Sequence, residues 1–345
     1  MSKVASAGWR YARCGPIGQV LSYESFDITP GKGEAVVQMI TAPLHRVDAA
    51  VVNGTALGRK RVNMTPFPRI AGCEGVGRVV RAPAAAAGGA TATASSPVKE
   101  GDTVWVSPLH GTWATHIAVP VSQIHKINPK QTHLAVTASN FLVAQQLLDG
   151  FARLHKGDIV IQNGGSSLTS LALSALARSY GVKMFTAATP GDRFTAAKQR
   201  HAKYNSDVFE YNGAGSRAMQ AAVGKRGAAL YLNGVGGRYF DSFLKCTGPM
   251  AHVVTYGAQR GFGLFISGST LIYNEVTMAG LFAPTYLNAM SHGERQTKLE
   301  FVLKALEEAS ISYPIVTAPS LEKLPEVWDD VYVKGGCKAI VKIGT

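Results

Sequence analysis

A glycine- and serine-rich turn after an apolar strand is the segment of this sequence best suited to chemistry. Ile159–Ile161 is apolar, and the turn that follows opens a helical pattern. The turn carries small or hydroxyl-bearing residues, namely Gly164, Ser166, Ser167, Thr169 and Ser170. Backbone N–H groups at a helix N-terminus bind phosphate groups, and hydroxyls add donors there. The alternative is a turn that only caps its helix.

The elements around this turn alternate regularly between strands and helices. A helix is predicted over Leu171–Tyr180, and Gly181, the next residue, ends it. The following predicted elements are strand Val182–Ala188, helix Arg193–Tyr204 and strands Ala229–Asn233 and His252–Tyr256. Strand, glycine turn, helix, strand is the mononucleotide-binding unit of a doubly wound parallel sheet.

The end of the second strand bears on which cofactor the sheet would hold. An NAD enzyme carries Asp or Glu there to bind the ribose 2′-hydroxyl. Here the strand ends at Ala187–Ala188–Thr189 without an acid. NADP is therefore favoured over NAD, with Arg193 or Lys198 as candidate partners of its 2′-phosphate.

The remaining sequence predicts strands at Ala35–Ala42, Val76–Val80 and Asp102–Ser107, separated by an Ala-rich low-complexity stretch over residues 81–99. We expect that stretch to be an exposed, mobile insertion. A helix is predicted near Glu294–Ala309, with core positions Leu299, Val302, Leu303 and Leu306, and a strand at Lys338–Ile343.

Composition limits the class of protein. The chain has 345 residues, 46% of them hydrophobic and 17% charged, which suits two globular domains and excludes disorder. No apolar run approaches the roughly 18 residues of a membrane span. The net charge of +13 favours anionic partners such as phosphorylated cofactors, acyl carriers or RNA. The alternative is the ordinary basic surface of a mitochondrial matrix protein.

The four cysteines, at 14, 73, 246 and 337, are scattered and form no CxxC pair. A reducing compartment is indicated, and a structural zinc lobe is not. The first acid is Glu24, after Lys3, Arg10 and Arg13, which weakly resembles an organelle transit peptide, although a first strand is expected from about Trp9.

Four blocks together resemble the medium-chain dehydrogenase/reductase superfamily, in its zinc-free branch. The nearest pattern is that of mitochondrial trans-2-enoyl-thioester reductases, with quinone oxidoreductase-like proteins beside them. The blocks are Lys156–Ser170 (KGDIVIQNGGSSLTS), Leu232–Gly257 (NGVGG to VTYG), Gly111–Ala114 (GTWA) and Ile266–Phe282. The resemblance runs from about Trp9 to Thr345.

The resemblance implies an α/β chain with a GroES-like β-rich domain at 1–133, a Rossmann-type parallel sheet domain at 134–284, and a return segment at 285–345 that completes the first domain. The implied activity is hydride transfer from NADPH to an enoyl thioester of mitochondrial fatty-acid synthesis, or to a related enone or quinone. The implied cofactor-binding residues are Asn163, Gly164, Ser166, Ser167, Thr169, Ser170, Arg193, Gly236, Gly237, Tyr256, Gly257, Phe282 and Lys338.

The implied catalytic positions depart from the family pattern. Ala56 stands where relatives carry the tyrosine that donates to the thioester carbonyl, and Leu168 lies within the phosphate turn. The candidates that remain are Thr55, His45 (where relatives have Asn) and Asn140. Zinc-dependent relatives need a Cys on an early strand and a His before Glu, whereas this chain has Val47 before Asp48 and Cys73 before Glu74. No catalytic zinc is therefore expected.

Two hypotheses follow. One is an NADPH-dependent mitochondrial reductase, in which the last strand of the nucleotide domain, expected near Leu271–Ala279, pairs with a second copy in a homodimer. The other is a catalytically eroded relative that serves as a basic structural or ribonucleoprotein-associated subunit. Its support is the altered turn and basic runs such as Arg59–Arg61 and Lys225–Arg226.

Overall fold

The computed structural model describes residues 2–55, 66–83, 98–261 and 263–344. Contacts divide the chain into two compact units. Unit 1 comprises Met1–Ser139, Pro284–Leu303 and Tyr313–Thr345, and unit 2 comprises Asn140–Ala283 and Lys304–Ser312. The sequence-based boundaries fell at 133/134 and 284/285, and did not separate residues 304–312. Ala56, Arg59–Arg61 and residues 84–97 of the Ala-rich stretch lie outside the described residues.

Unit 1 is built mainly from β-strands. Its strands are β1 (Val4–Tyr11), β2 (Ser22–Ile28), β3 (Glu34–Leu44), β4 (Arg69–Ile70), β5 (Gly75–Arg81), β6 (Thr103–Val106), β7 (His116–Pro120), β8 (Ile124–Lys126), β15 (Ile315–Ala318) and β16 (Lys338–Lys342). Its helices are α1 (Ile17–Val20), α2 (Arg46–Val52), α3 (Thr132–Ala135) and α10 (Ala283–Ala289). Short 3-10 turns lie at Val121–Gln123, Pro129–Gln131 and Leu324–Val327, and a π-helical turn at Asp330–Lys334.

Two sheets organise the described part of unit 1. The small sheet has the order β2-β1-β4, and the large one β15-β16-β3-β5-β6-β8, with β7 also paired to β3. The apolar residues of β3 that face the interior, among them Val36, Val37 and Met39, are fully buried. The last strand, β16, runs antiparallel to β3 and pairs Val341 with Ala42. The closing segment therefore pairs with the central strand of unit 1.

Unit 2 alternates strands with helices. Its strands are β9 (Ile159–Asn163), β10 (Lys183–Ala188), β11 (Asp207–Glu210), β12 (Ala228–Asn233), β13 (Thr247–Thr255) and β14 (Thr277–Gly280). Its helices are α5 (Leu168–Ala177), α6 (Asp192–Ala202), α7 (Gly213–Val223), α8 (Phe240–Leu244) and α9 (Gly268–Asn274). Helices α4 (Ala138–Asp149) and α11 (His292–Glu308) each span a boundary between the units, and α10 has only its first residue, Ala283, in unit 2.

The sheet of unit 2 is parallel throughout, in the order β11-β10-β9-β12-β13-β14. This is the dinucleotide-binding order of a doubly wound sheet, in which the strand order reverses between β9 and β12. Strands β9, β10 and β12 are apolar and almost wholly buried, as parallel strands covered on both faces are. The predicted α/β class, with a β-rich domain and a Rossmann-type domain, is confirmed.

Most predicted elements lie within a few residues of their observed bounds, and one was wrong. Leu271–Tyr273 belongs to helix α9, so the edge strand is only Thr277–Gly280. A short run of leucine, isoleucine and tyrosine fits either a strand or a packed helix, and periodicity cannot separate the two. The predicted core positions of α11 are buried. No helix within the described ranges is long and apolar enough to cross a membrane.

Candidate functional site

The glycine turn after β9 is held in place by both backbone polar groups of one residue, Gly165. The Gly165 N–H donates to the Ala187 carbonyl (3.0 Å), and the Gly165 carbonyl accepts from His201 Nε2 (2.8 Å). A Cβ at Gly165 would lie 2.6 Å from Cγ2 of Thr186, so only glycine fits here without displacing β10. Gly164 has φ +78°. The turn therefore needs both glycines for its geometry.

His201 connects this turn to the interior of unit 2. Because a carbonyl only accepts, Nε2 carries the proton and Nδ1 accepts from the Ser174 hydroxyl (2.8 Å). Burial lowers the pKa of His201 to about 4, so the ring is neutral. Gln162 Nε2 donates to Ser174 and Thr186, which ties the same network to β9 and β10.

Helix α5 begins directly after the turn. Ser167 is its N-cap, and the Ser167 hydroxyl accepts from the Ser170 N–H (3.1 Å). The Leu168 side chain is 5% exposed, so it packs into unit 2. Leu168, which departs from the family pattern within the phosphate turn, is thus a core residue at the start of this helix.

Asn140 and Thr169 meet in unit 2. Asn140 Nδ2 donates to Thr169 Oγ1 at 2.8 Å, and Asn140 Oδ1 is buried without a hydrogen-bond partner among the described residues. One expected catalytic residue therefore contacts one expected cofactor residue. An unpartnered carbonyl oxygen at this point is an open acceptor.

A second glycine turn follows β12, beside the first. Asn163 Oδ1 accepts from the N–H groups of Gly234 (2.6 Å) and Val235 (3.0 Å), and its Nδ2 donates to Tyr231 and Asn233. These four bonds use the full capacity of the Asn163 amide. The Asn163 side chain therefore positions the second glycine turn, and its expected contact with the cofactor stays a prediction.

The predicted residues after β12 and β13 lie against each other. Gly236 and Gly237 have φ of +68° and +77°. A Cβ at Gly257 would lie 2.7 Å from the Gly234 carbonyl oxygen, and one at Gly234 2.8 Å from the Tyr256 hydroxyl. The VIQN, NGVGG and VTYG blocks therefore converge at the carboxyl ends of adjacent strands, where doubly wound sheets bind ligands. Phe282, 39% exposed, follows β14.

The end of β10 carries no acid at its last positions. Ala187 and Ala188 are fully buried, and Gly191 precedes α6 with φ +87°. Asp192, Arg193 and Lys198 are exposed on α6, so the first acid after the strand is adjacent to the predicted arginine.

Unit 1 contains a separate cluster of buried charged groups around His45. His45 follows β3 and precedes α2. Its Nε2 contacts Glu74 Oε1 at 2.6 Å, and its Nδ1 contacts Lys338 Nζ at 2.6 Å. Glu74 is fully buried, and its Oε2 accepts from Trp105 Nε1 (2.8 Å) and the Ser139 N–H (3.0 Å). Both ring nitrogens of His45 are therefore occupied by hydrogen bonds within the cluster.

Burial changes the pKa values within this cluster. Desolvation lowers the pKa of Lys338 to about 8, against the opposing charges of Glu74 and Asp48. Burial raises the pKa of Asp48, whose Oδ2 accepts from the His45 N–H at 2.6 Å. Burial also raises the pKa of the Cys73 thiol, and Asp48 adds to that effect. Cys73 is therefore a buried, protonated thiol.

The three expected catalytic residues are not brought together within one unit. Thr55 is exposed in unit 1 and donates to Asn53 Oδ1 at 2.7 Å, His45 is buried in its cluster, and Asn140 belongs to unit 2. Among the described residues, no group of three or more His, Cys, Asp or Glu side chains is arranged to hold a metal ion.

Sequence reasoning missed His201 and the partnership of His45 with Glu74. His201 lies in a polar stretch of α6, where a histidine gives no sign that it turns inward. Glu74 was considered only as part of a zinc motif. His45 and Glu74 are 29 positions apart, and only β3 and β5, neighbours in one sheet, bring them together.

Known proteins match the chain at the level of family, sequence and fold. Residues 31–129 match the Alcohol dehydrogenase GroES-like domain. The mitochondrial enoyl-[acyl-carrier-protein] reductase of Arabidopsis thaliana is 26% identical over 318 residues, which cover 91% of this chain and 79% of that protein.

Two solved structures share the fold over nearly the whole chain. A mutant form of the enoyl thioester reductase from Candida tropicalis superposes with a TM-score of 0.81 at 19% identity, covering 98% of this chain and all of the other. The complex of Etr1p with NADP and crotonyl-CoA gives a TM-score of 0.80 at 20% identity, with the same coverage. Residues 31–129 thus form a GroES-like domain of the alcohol dehydrogenase type, and the chain as a whole resembles the zinc-free enoyl thioester reductases in sequence and fold.

Proposed function

We propose that this chain is an NADPH-dependent oxidoreductase that reduces the double bond of a 2-enoyl thioester. The observation that carries the proposal is the convergence of two glycine turns at the carboxyl ends of β9 and β12, where the strand order of a dinucleotide-binding sheet reverses. The similarity to an enoyl-[acyl-carrier-protein] reductase supplies the substrate class.

The residues of the first turn suit a pyrophosphate. The N-terminus of α5 presents N–H groups that have no partner within the helix, and Ser166 adds a hydroxyl beside them. Gly165 keeps the turn close to β10, and its carbonyl accepts from His201 Nε2. These residues would bind the cofactor largely through backbone groups, which explains how serines can stand where relatives have glycines.

Two further contacts with the cofactor are proposed. Arg193 or Lys198 on α6 would bind the 2′-phosphate, since both lie beyond β10, which ends without an acid at its last positions. Lys338 would contact a cofactor phosphate, as the resemblance implies.

NADPH would supply the hydride, and the chain must stabilise the negative charge that develops on the thioester oxygen. The tyrosine expected for this task is replaced by Ala56. Of the three candidates, His45 has both ring nitrogens engaged, and the open group of Asn140, Oδ1, only accepts and cannot stabilise an oxygen that becomes negative. We propose that Asn140 and Thr169 position the cofactor. Thr55, in unit 1, is then the remaining candidate to donate a hydroxyl hydrogen bond to the thioester oxygen.

A single assay tests the proposed activity. Purified chain is incubated with NADPH and a crotonyl or longer 2-enoyl thioester, and the saturated product is measured by mass spectrometry; an enone and a quinone serve as other acceptors. We expect the enoyl thioester to be consumed fastest. Faster reduction of the quinone would move the proposal to that acceptor, and no reduction of any acceptor would overturn it. The relatives named above give no support to the alternative of a ribonucleoprotein subunit.

A further proposal concerns the oligomeric state of the chain. We propose a homodimer through β14, which is the sheet edge in unit 2, and α9 beside it exposes Ile272 (71%) and Tyr273 (82%). Sedimentation of wild type and Ile272→Asp tests it, since only the wild type should dimerise.

We also propose a mitochondrial location. The relative from Arabidopsis thaliana is named as a mitochondrial enzyme, which supports this proposal. Imaging of the full-length chain with a C-terminal tag tests it.

A further inference from the structure

Three side chains of unit 1 form a continuous hydrogen-bonded chain from Lys338 through His45 to Glu74. Both links are 2.6 Å long. Glu74 accepts three hydrogen bonds in all, and an ionised carboxylate can only accept. His45 Nε2 must therefore carry a proton toward Glu74. Nδ1, which accepts from the Lys338 ammonium, therefore carries the lone pair of the ring.

The Lys338 ammonium donates to the imidazole ring of His45 and not to a carboxylate. Within the described ranges, no carboxylate oxygen lies within ion-pair distance of Lys338 Nζ. Glu74 and Asp48 act on it from farther away, as does Cys337 on its own segment. Tyr332, which donates to the His45 carbonyl at 3.3 Å, Cys73 and Arg46 complete the titratable and charged groups around the cluster.

We propose that His45, backed by Glu74, is a positioning residue that holds the Lys338 ammonium and makes the affinity of the chain for its anionic cofactor depend on pH. This rests on the proposed function, in which Lys338 contacts a cofactor phosphate. Protonated Lys338 attracts the phosphate, and the neutral amine does not. With a pKa lowered to about 8 by burial, Lys338 loses its charge just above neutral pH.

The ligand does not titrate in this window. The second ionisation of a phosphate monoester lies near pH ~6, so the 2′-phosphate is fully charged above about pH 7. A change in NADPH affinity between about pH 7 and about pH 9 therefore reports on the protein. An arginine at position 338 keeps its charge throughout, because a guanidinium does not deprotonate in that range.

The experiment measures the NADPH dissociation constant of the full chain by calorimetry from about pH 7 to about pH 9. The variants are Lys338→Arg, Lys338→Gln, His45→Leu and His45→Gln, with Lys342→Gln as the control on the exposed end of the same strand. In parallel, NMR of 13C-labelled lysines follows the titration of Lys338 in the free protein, with the signal assigned by its loss in Lys338→Arg.

In wild type, we expect NADPH to bind up to about 10-fold more weakly at pH ~9 than at pH ~7, which is the most that titration of one lysine with a pKa of about 8 allows over this range. Lys338→Arg should abolish this dependence, and Lys338→Gln should bind weakly at every pH. His45→Leu removes the acceptor of the ammonium and should move the midpoint to lower pH. His45→Gln keeps an acceptor and should stay near wild type, and Lys342→Gln should match wild type.

Two results would overturn the proposal: an NMR titration of Lys338 above pH ~10, its ordinary range, or the same pH dependence in wild type and Lys338→Arg. Far-UV circular dichroism of each variant identifies any that fail to fold, and the wild-type titration decides without them. If NADPH binds at no pH, the proposed function fails together with the affinity part of this inference. The NMR comparison of wild type with His45→Leu then still shows whether His45 sets the charge of Lys338.

Discussion

The two units bury polar groups in different ways. The cluster of unit 1 is ionic, with Glu74, His45 and Lys338 joined end to end. The network of unit 2 is neutral, since Asn163, Gln162 and His201 hold the two glycine turns by amide, hydroxyl and carbonyl bonds. A neutral network holds a backbone in one geometry over a wide pH range, whereas an ionic one changes with proton uptake. The two glycine turns are thus held by the neutral network, whose hydrogen bonds should not change with pH above neutrality.

The largest effect is expected from breaking the ionic cluster. Glu74→Leu leaves the Trp105 indole N–H, the Ser139 N–H and the His45 ring without their acceptor, and leaves Lys338 without its opposing charge. We expect a loss of about 3–5 kcal/mol in the free energy of unfolding, measured by urea denaturation. Glu24→Gln, which breaks the more exposed ion pair with Arg10, should cost no more than about 1 kcal/mol. Equal losses in the two variants would contradict the ionic account of unit 1.

The neutral network should yield a somewhat smaller effect. Asn163→Leu removes the acceptor of the Gly234 and Val235 N–H groups and the partner of Tyr231. About 3 kcal/mol of stability should be lost by the same measurement, because each buried unpaired group costs on the order of 1–3 kcal/mol. The loss should be the same at about pH 7 and about pH 9, whereas the stability of unit 1 should change there. A pH-dependent loss in Asn163→Leu would remove the distinction between the units.

The fold was largely predictable from the sequence, and the candidate site only in part. Apolar runs such as Ile159–Ile161 and the glycines that follow identify the doubly wound sheet, because parallel strands and tight turns leave strong local patterns. The inward role of Asn163 could not be predicted, since the same residue type suits a ligand contact and a backbone clamp. The Lys338–His45 contact joins positions 293 apart, so only the pairing of β16 with β3 brings them together.

Acid should weaken unit 2 at His201. The pKa of His201 is about 4 in the folded chain and about 6.5 when unfolded, so the unfolded state binds more protons between these values. The stability contributed by the neutral ring is present above pH ~6.5 and is lost as the pH falls toward pH ~4. We expect His201→Gln to reduce that acid-induced loss by about 2 kcal/mol in urea denaturation at pH ~4.5 relative to pH ~7. An unchanged acid dependence in this variant would contradict the assignment. In unit 1, burial lowers the pKa of His110 to about 4 and that of His125 to about 3, and both add to the acid sensitivity of that unit.

The smallest effect is expected at the start of α5. Ser167→Ala removes the acceptor of the Ser170 N–H and should cost about 1 kcal/mol in the free energy of unfolding. Ser167→Asp keeps an acceptor and should retain that stability, but its negative charge should repel a bound phosphate and weaken NADPH binding at least tenfold. Equal NADPH affinity in Ser167→Asp and wild type would show that the phosphate does not lie at this helix start.

The measurement that tests the central claim most directly is calorimetric titration of the full chain with NADPH, beside two glycine variants. A Cβ at Gly165 would collide with Thr186, whereas one at Gly263 would meet nothing within 4 Å. We predict saturable binding of one NADPH per chain in wild type and in Gly263→Ala, and strongly weakened binding in Gly165→Ala. No binding at millimolar NADPH in wild type, or equal affinity in both variants, would contradict the account of the glycine turn.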